Sequence, residues 1–187
     1  MPALTIDTSW IRRASGLLSL WLAAAMMLSL AACQPAKSYP PLKPVDDRAN
    51  IIPAKLRASL DQRLYDLWKT KGPQLVIVTV PTLNGRRIED YSIDLARQLG
   101  IGSRERNDGV MILVAPKERK VRIEVGTGLE TVLTDPFCAQ VIREKMVPRF
   151  SKGDLPGGIE AGADALIARL SVTGATPPAP RVKEAVQ

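Results

Sequence analysis

Two short, continuous apolar runs stand out along the chain: LVIVTV at residues 75–80 and VMILVA at residues 110–115. Runs of this length, rich in β-branched residues, are typical of strands that are buried on both faces of a sheet. Residues 120–125 alternate instead, which places three apolar side chains on one face. Because only residues 116–119 separate this segment from the run before it, the two strands are predicted to form an antiparallel hairpin.

Apolar residues at helical spacing mark four further segments, at residues 53–71, 88–99, 135–148 and 157–170. The third is predicted to begin with Asp135 as N-cap and Pro136 at the first helical position. The order helix–strand–helix–strand–strand–helix–helix indicates an α/β fold. We expect a small mixed β-sheet, with one parallel crossover and one antiparallel hairpin, sandwiched by about four helices.

The amino-terminal segment has the pattern of an export signal. Arg12 and Arg13 precede an apolar stretch at residues 16–30, and small residues follow. This stretch is shorter than the roughly 20 residues that a membrane-spanning helix needs. The sequence Leu-Ala-Ala-Cys that ends at Cys33 resembles a bacterial lipobox, in which cleavage precedes a cysteine that receives the lipid. The alternative is an ordinary signal followed by an unrelated cysteine.

These features predict four regions: a lipoprotein signal peptide at 1–32, a proline-rich tether at 33–45, a folded domain at 46–170 and a disordered tail at 171–187. The mature protein would be bound to the membrane through the lipid on Cys33 and would face the periplasm. Gln34 follows the cysteine, and in similar Gram-negative lipoproteins a residue other than aspartate favours the outer membrane over the inner membrane.

The charge of the chain is +7, and removing residues 1–32 takes away two arginines and one aspartate, which leaves +6. Aromatic residues make up only 4% of the chain, which offers little surface on which nucleic-acid bases could stack. We therefore expect no nucleic-acid partner and attribute the charge to attraction toward anionic surfaces.

The chain contains no histidine, which excludes a Ser-His-Asp triad and the usual zinc sites. It also lacks the glycine-rich loop with lysine that cradles phosphates. Cys138 is the second cysteine, and a single cysteine on a helix is usually a small buried hydrophobic residue. Carboxylates and backbone carbonyls remain, and these groups suit a hard cation such as Ca²⁺, whereas no organic cofactor is indicated.

Three acids follow from the hairpin geometry as candidate calcium ligands. The start of the first hairpin strand lies beside the end of the second, so Asp108 should lie near Gly126. Glu130 and Asp135 follow Gly126 within nine residues, so they should lie near Asp108 as well. Weak Ca²⁺ binding by Asp108, Glu130 and Asp135 is one interpretation. In the other, Asp108 belongs to a turn, Asp135 caps a helix and Glu130 is solvated.

Basic residues gather at the opposite end of the sheet and are candidates for contact with an anion or a partner. In α/β sheets, ligands favour the carboxyl ends of strands. The contact would be with lipid phosphates or an acidic partner protein; the alternative is a solvated, solubilising turn. The residues are Arg86, Arg87, Lys117, Arg119 and Lys120.

Five phrases in order resemble the TPM domain family, which occurs in bacterial envelope proteins and in a thylakoid-lumen protein of plants. The phrases are VDDRANII, QLVIVTVPTLNGRRIEDYSIDLARQLGIG, NDGVMILVAPKERKVRIEVGTGLE, LTD and VPRFSKGDLPGGIEAG, and they cover about residues 45–170. The resemblance implies a small α/β sheet with helices on both sides.

The resemblance also suggests several functions. The plant relative is associated with acid phosphatase activity and photosystem repair, some members bind calcium, and others are similar to accessory factors of membrane complexes. Asp47 matches the family's early acidic position, and our topology places it at the end of the sheet opposite the other acids, so its role stays open. Two positions depart from the family: Thr127 replaces an aromatic or long residue, and Glu118 stands where aspartate is common.

The leading hypothesis is a lipid-anchored accessory module of the envelope that binds a divalent cation and a membrane-protein partner. The alternative is a metal-assisted acid phosphatase in which Asp108, Glu130 and Asp135 hold the ion. A phosphatase needs a nucleophile or an activated water, and no serine, cysteine or aspartate here belongs to a recognisable nucleophile motif. Whether the protein is an enzyme is therefore uncertain, and binding ranks ahead of catalysis.

Overall fold

The computed structural model describes residues 43–172. The predicted signal peptide, Cys33, most of the tether and the tail from residue 173 onward lie outside the described residues. Within residues 43–172, none of the helices combines the length and the apolar character that crossing a membrane requires.

Four strands and four helical segments make up the described domain, which confirms the predicted α/β class. The strands are β1 (Val45–Asp47), β2 (Gln74–Thr79), β3 (Gly109–Ala115) and β4 (Lys120–Val125). The helices are α1 (Ala54–Lys71), α2 (Ile88–Leu99), α3 (Asp135–Val141), α4 (Val147–Phe150) and α5 (Leu155–Val172). A π-helical turn (Ile142–Met146) joins α3 to α4 in one continuous stretch, so the five helices form four segments.

The sheet has the order β1-β2-β3-β4 and is mixed. Strands β1, β2 and β3 are parallel, whereas β3 and β4 form the predicted antiparallel hairpin, in which Val110 pairs with Val125. Strand β1 is an addition to the predicted topology. It has only three residues, of which Val45 alone is apolar, so it gives no periodic signal. Hydrogen bonds to β2 define it instead.

Two hydrophobic clusters lie on opposite faces of the sheet. Alternate residues of β2 and β3, such as Ile77 and Ile112, contact the larger cluster, to which α1, α3 and α5 contribute. The intervening residues, such as Val78 and Leu113, contact the smaller cluster beneath α2. Every residue of β3 is buried, which explains why its sequence is continuously apolar rather than alternating.

The helical stretch after β4 departs from prediction in two ways. Thr134, not Asp135, is the N-cap, since its side chain accepts a hydrogen bond from the Phe137 backbone N–H, and Asp135 is the first helical residue. The stretch also continues to Phe150 through the π-helical turn. This turn directs Met146 into the core, where its side chain packs against Gly162 of α5 and a Cβ on that glycine would lie 2.7 Å from the Met146 sulfur. The sequence periodicity of an α-helix could not reveal this extra residue in the turn.

The central strands should dominate stability. We expect Ile112→Ala, at a fully buried position, to reduce the free energy of unfolding by about 2 to 5 kcal/mol, because it removes buried methyl groups and leaves a cavity. Lys55→Ala is the control: its side chain is exposed in the first turn of α1, so its effect should be below about 0.5 kcal/mol. Urea unfolding followed by circular dichroism measures both, and equal losses would contradict this description of the core.

Candidate functional site at the edges of the sheet

The candidate site residues lie at two opposite edges of the sheet, because both faces of the central strands are covered. We call the edge where β2 and β3 begin the amino edge; it includes Asp108. We call the edge where β1, β2 and β3 end the carboxyl edge; it includes Asp47, Thr79 and the hairpin turn at residues 116–119.

Asp108 at the amino edge is buried, with 1% of its surface exposed. One carboxylate oxygen accepts a hydrogen bond of 2.8 Å from the Ser103 backbone N–H, and the other accepts one of 2.7 Å from Arg106 Nε. The Asp108 backbone carbonyl also accepts a bond from the Gln74 N–H. Asp108 thus holds the loop before β3 against the start of β2, a structural role in which donors from the protein engage both carboxylate oxygens.

The Gly-Thr-Gly sequence at residues 126–128 serves close packing of two backbones. The N–H of Gly126 donates to the Gly109 carbonyl, and that of Gly128 donates to the Asn107 carbonyl. A Cβ on Gly128 would lie 1.9 Å from the Arg106 carbonyl oxygen, so no larger residue fits without displacing the main chain. This motif therefore joins the end of β4 to the loop before β3.

The other two predicted calcium ligands do not share the environment of Asp108. Glu130 is exposed in the turn after β4, and Asp135 is exposed in the first turn of α3. Between residues 43 and 172, no three acidic or cysteine side chains are grouped so that they could hold a metal ion. Calcium binding by Asp108, Glu130 and Asp135 stays a prediction.

Asp47 at the carboxyl edge organises the turn between β1 and α1. Its carboxylate accepts hydrogen bonds from the backbone N–H groups of Ile51 and Ile52, at 3.1 and 2.9 Å, and from the Thr79 hydroxyl at 2.5 Å. The Thr79 hydroxyl oxygen in turn accepts a bond from the Ala49 N–H. Asp47 therefore connects the end of β1 to the end of β2, as a turn residue does.

Glu118 in the hairpin turn has an unusual environment. Its Oε1 accepts hydrogen bonds from the Thr82 hydroxyl at 2.5 Å and from the Leu83 N–H at 3.1 Å. Its Oε2 is shielded from solvent and has no hydrogen-bond partner. Between residues 43 and 172, it is the only buried side-chain oxygen or nitrogen without one. The hydrogen bond from Thr82 holds the pKa of Glu118 below its ordinary value. The carboxylate is consequently charged at neutral pH while one of its oxygens lacks a partner.

The predicted basic residues divide into two groups. Arg86 forms an ion pair of 2.5 Å with Asp94 and lies over the Tyr91 ring, while Arg87 lies 3.5 Å from Glu89. Both arginines therefore contact α2. The remaining three, Lys117, Arg119 and Lys120, are exposed in and beside the hairpin turn, next to Glu118. All five residues are exposed, but Arg86 and Arg87 pair with acids of α2.

Cys138 lies on α3 in the core and its thiol is directed toward the Leu133 carbonyl oxygen, 3.9 Å away. Burial, followed by the nearby charge of Asp135, raises the pKa of the Cys138 thiol to about 11. The thiol is therefore protonated at neutral pH and is a poor nucleophile.

Sequence reasoning did not find the contact among Thr82, Leu83 and Glu118. Thr82 and Glu118 are 36 positions apart and belong to two loops that only the parallel pairing of β2 and β3 brings together. The available signal was indirect: the loop after β2 and the hairpin turn after β3 must lie at the same edge if the two strands are parallel.

Comparison with known proteins identifies relatives of this domain. Residues 45–169 match the family model described as the TPM domain. No curated protein matches the chain. Among solved structures, the N-terminal domain of a protein from P. gingivalis is similar, with 28% identity, a TM-score of 0.67, and coverage of 71% of this chain and 85% of that chain.

Two further solution structures share the fold. The N-terminal domain of a protein from Corynebacterium glutamicum has 16% identity and a TM-score of 0.56, over 81% of this chain and 96% of that chain. A protein from the psychrophilic bacterium Bizionia argentinensis has 19% identity and a TM-score of 0.56, over 65% of this chain and 83% of that chain.

The close packing at the amino edge makes a specific prediction. Gly128→Ala should reduce the free energy of unfolding by about 3 kcal/mol, because the new methyl group overlaps a backbone carbonyl rather than a movable side chain. Thr127→Ala is the neighbouring control and should change it by less than about 0.5 kcal/mol, since Thr127 is exposed. Chemical denaturation compares the two, and a neutral Gly128→Ala would show that this backbone contact does not form.

Proposed function

Because the chain belongs to the TPM domain family, we propose that it is a lipid-anchored envelope module that binds a divalent cation at the carboxyl edge and contacts a membrane partner there. The observation that supports this proposal is Glu118: a charged carboxylate whose Oε2 is buried without a partner. Leaving such an oxygen unpaired is costly, and a bound cation would remove that cost.

The oxygen chemistry of this edge fits calcium. Carboxylate oxygens and backbone carbonyls are the ligands that Ca²⁺ accepts, in flexible geometry and with water completing its shell. Glu118 would supply the charged ligand, while Thr82 and Leu83 hold its other oxygen in place. When bound, the ion would supply positive charge to which anionic groups of a partner can bind.

We expect the affinity to be low, on the order of 10⁻⁴ to 10⁻³ M as in extracellular modules. Asp47 already accepts three hydrogen bonds from the protein, so of these two carboxylates only Glu118 has a buried oxygen without a hydrogen-bond partner. The neighbouring Lys117, Arg119 and Lys120 repel a cation and lower its affinity further.

The same three basic residues are suited to contact a partner. They extend from the hairpin turn into solvent, and no ion pair engages them in the described part of the chain. A surface with outward cations beside a carboxylate can bind the phosphates of lipids or the acidic groups of an envelope protein. Arg86 and Arg87 would contribute less, since acids of α2 already neutralise part of their charge.

Calcium binding at the amino edge, by Asp108, Glu130 and Asp135, is the competing location. Asp108 has a donor on each carboxylate oxygen, so a cation there would have to displace or compete with Arg106. Both locations imply weak calcium binding, and substitutions at one edge or the other distinguish them.

A metal-assisted acid phosphatase remains the alternative function, and it rests on the family resemblance. The chain has no histidine to act as a general acid or base, and the Cys138 thiol is buried with a raised pKa. The paired and buried Asp108 is likewise poorly placed to attack a substrate. These observations favour binding over catalysis.

The proposed lipid anchoring depends on the sulfur atom of Cys33. Cys33→Ala should leave the precursor uncleaved or release the protein from its lipid anchor, because no other residue near the predicted cleavage position supplies a thiol. Metabolic labelling with a radioactive fatty acid, followed by membrane fractionation, measures the effect. Cys138→Ala is the control and should still incorporate the label; incorporation by the Cys33→Ala variant would disprove the anchor.

Calcium binding at the carboxyl edge should depend on Glu118. At a free Ca²⁺ concentration ten times the dissociation constant, binding to the native state alone stabilises it by about 1.4 kcal/mol, so the melting temperature of the full chain should rise in millimolar Ca²⁺. Glu118→Gln should abolish the rise, because the amide keeps the shape of the side chain but not its charge.

Asp135→Asn is the matched control for the competing location, since Asp135 is an exposed helix residue and does not form the cap. The rise should persist in this variant. Loss of the rise in Asp135→Asn together with its retention in Glu118→Gln would place the ion at the amino edge. A melting temperature that calcium does not change would refute the cation-binding proposal at both edges.

A further inference from the structure

An open apolar groove runs between α5 and the helical stretch that begins with α3. It has a volume of about 340 Å³, and none of its lining residues belongs to the sheet. Phe137 and Val141 form one wall and Ala165, Ala168 and Val172 form the other, and charged residues also line the groove, among them Glu144, Lys145 and Arg169. The three α5 residues are spaced three and four positions apart, so they form one continuous apolar stripe.

The groove ends where the described chain ends. Val172 is the last residue of α5, and its side chain is 87% exposed although it lines the groove. The described chain therefore ends beside the groove. A segment attached at this point has an effective concentration in the millimolar range, so that even weak contacts would keep it bound.

We propose that the segment directly after α5, residues 173–187, binds in this groove, with its Pro-Pro-Ala-Pro sequence at residues 177–180 against the Phe137 wall. Proline-rich segments prefer an extended left-handed conformation before they bind and therefore lose little entropy on docking. Grooves that receive such segments are lined by aromatic and apolar side chains. Phe137 and the alanines of α5 supply that lining.

The distances permit this contact. The Arg169 guanidinium carbon lies 5.4 Å from the centre of the Phe137 ring, and Arg169 precedes Val172 by three residues, about 4.5 Å along a helix. The five residues from Val172 to Pro177 can span about 17 Å when extended. Pro177 can therefore reach Phe137, and Gly174 permits the chain to reverse direction along α5.

The charged residues of the groove do not favour one orientation. Glu144 already accepts hydrogen bonds from Gln140 and Arg143, and Lys145 and Arg169, which also line the groove, would repel Arg181. Binding would therefore rest on apolar contacts of the prolines with Phe137 and the alanines of α5.

Protection from trypsin tests the proposal in the full chain. Cleavage after Arg181, followed by mass spectrometry, should be about tenfold slower in the full chain than in the free synthetic peptide 173–187. Ala168→Arg places a long, like-charged side chain in the groove and should restore the rate of the free peptide. Ala58→Arg, at an exposed alanine of α1, is the matched control and should leave the protection unchanged.

A second measurement does not depend on the folding of the Ala168→Arg variant. Replacing residues 177–180 by Gly-Ser-Gly-Ser changes only the tail, and it should shift the NMR amide signals of Phe137, Ala165 and Ala168. Equal cleavage of the full chain and the free peptide, or groove signals that the replacement leaves unchanged, would overturn the proposal. Protection that disappears on dilution would also overturn it, since a second copy would then hold the tail.

Discussion

Burial of both faces of β2 and β3 is the constraint on which the rest of this domain depends. Five of the six β2 residues and all seven β3 residues are buried, which requires helices on each side of the sheet. The central strands can then present no polar groups to a ligand from either face. The candidate site residues lie at the two edges, where the backbone leaves the strands: Asp108 at one edge, and Asp47 and Glu118 at the other.

The sequence could predict this layered fold because burial leaves a periodic record. The continuous apolar runs of β2 and β3, the alternation of β4 and the leucine stripe of α1 each report directly which faces are covered. Strand β1 and the π-helical turn leave no such record. The first is defined by main-chain pairing with β2, and the second by one extra residue that directs Met146 into the core; neither depends on a repeat of apolar residues.

The roles of the acidic residues were harder to predict, because the sequence does not show whether a carboxylate binds an ion, caps a helix or pairs with an arginine. Proximity in the hairpin suggested that Asp108 belongs to a ligand site, and the structure shows that Arg106, two positions away, already pairs with it. The N-cap of α3 is Thr134 rather than the predicted Asp135, a difference of one position. Such distinctions depend on hydrogen-bond geometry within a turn, which residue spacing does not determine.

The two edges differ in whether the protein satisfies the hydrogen-bonding groups of their carboxylates. At the amino edge, glycines 126 and 128 approach the backbone of Arg106 and Asn107 so closely that no space for a ligand remains between them, and Asp108 is bonded through both oxygens. At the carboxyl edge, Thr82 and Leu83 position Glu118 but satisfy only one of its oxygens, while lysines and an arginine extend beside it. A closed, hydrogen-bonded edge stabilises the fold, whereas an edge with an unsatisfied charge can gain free energy from a partner. The asymmetry between the edges therefore favours binding at the carboxyl ends of the strands, where the loops are free to vary without disturbing the buried sheet.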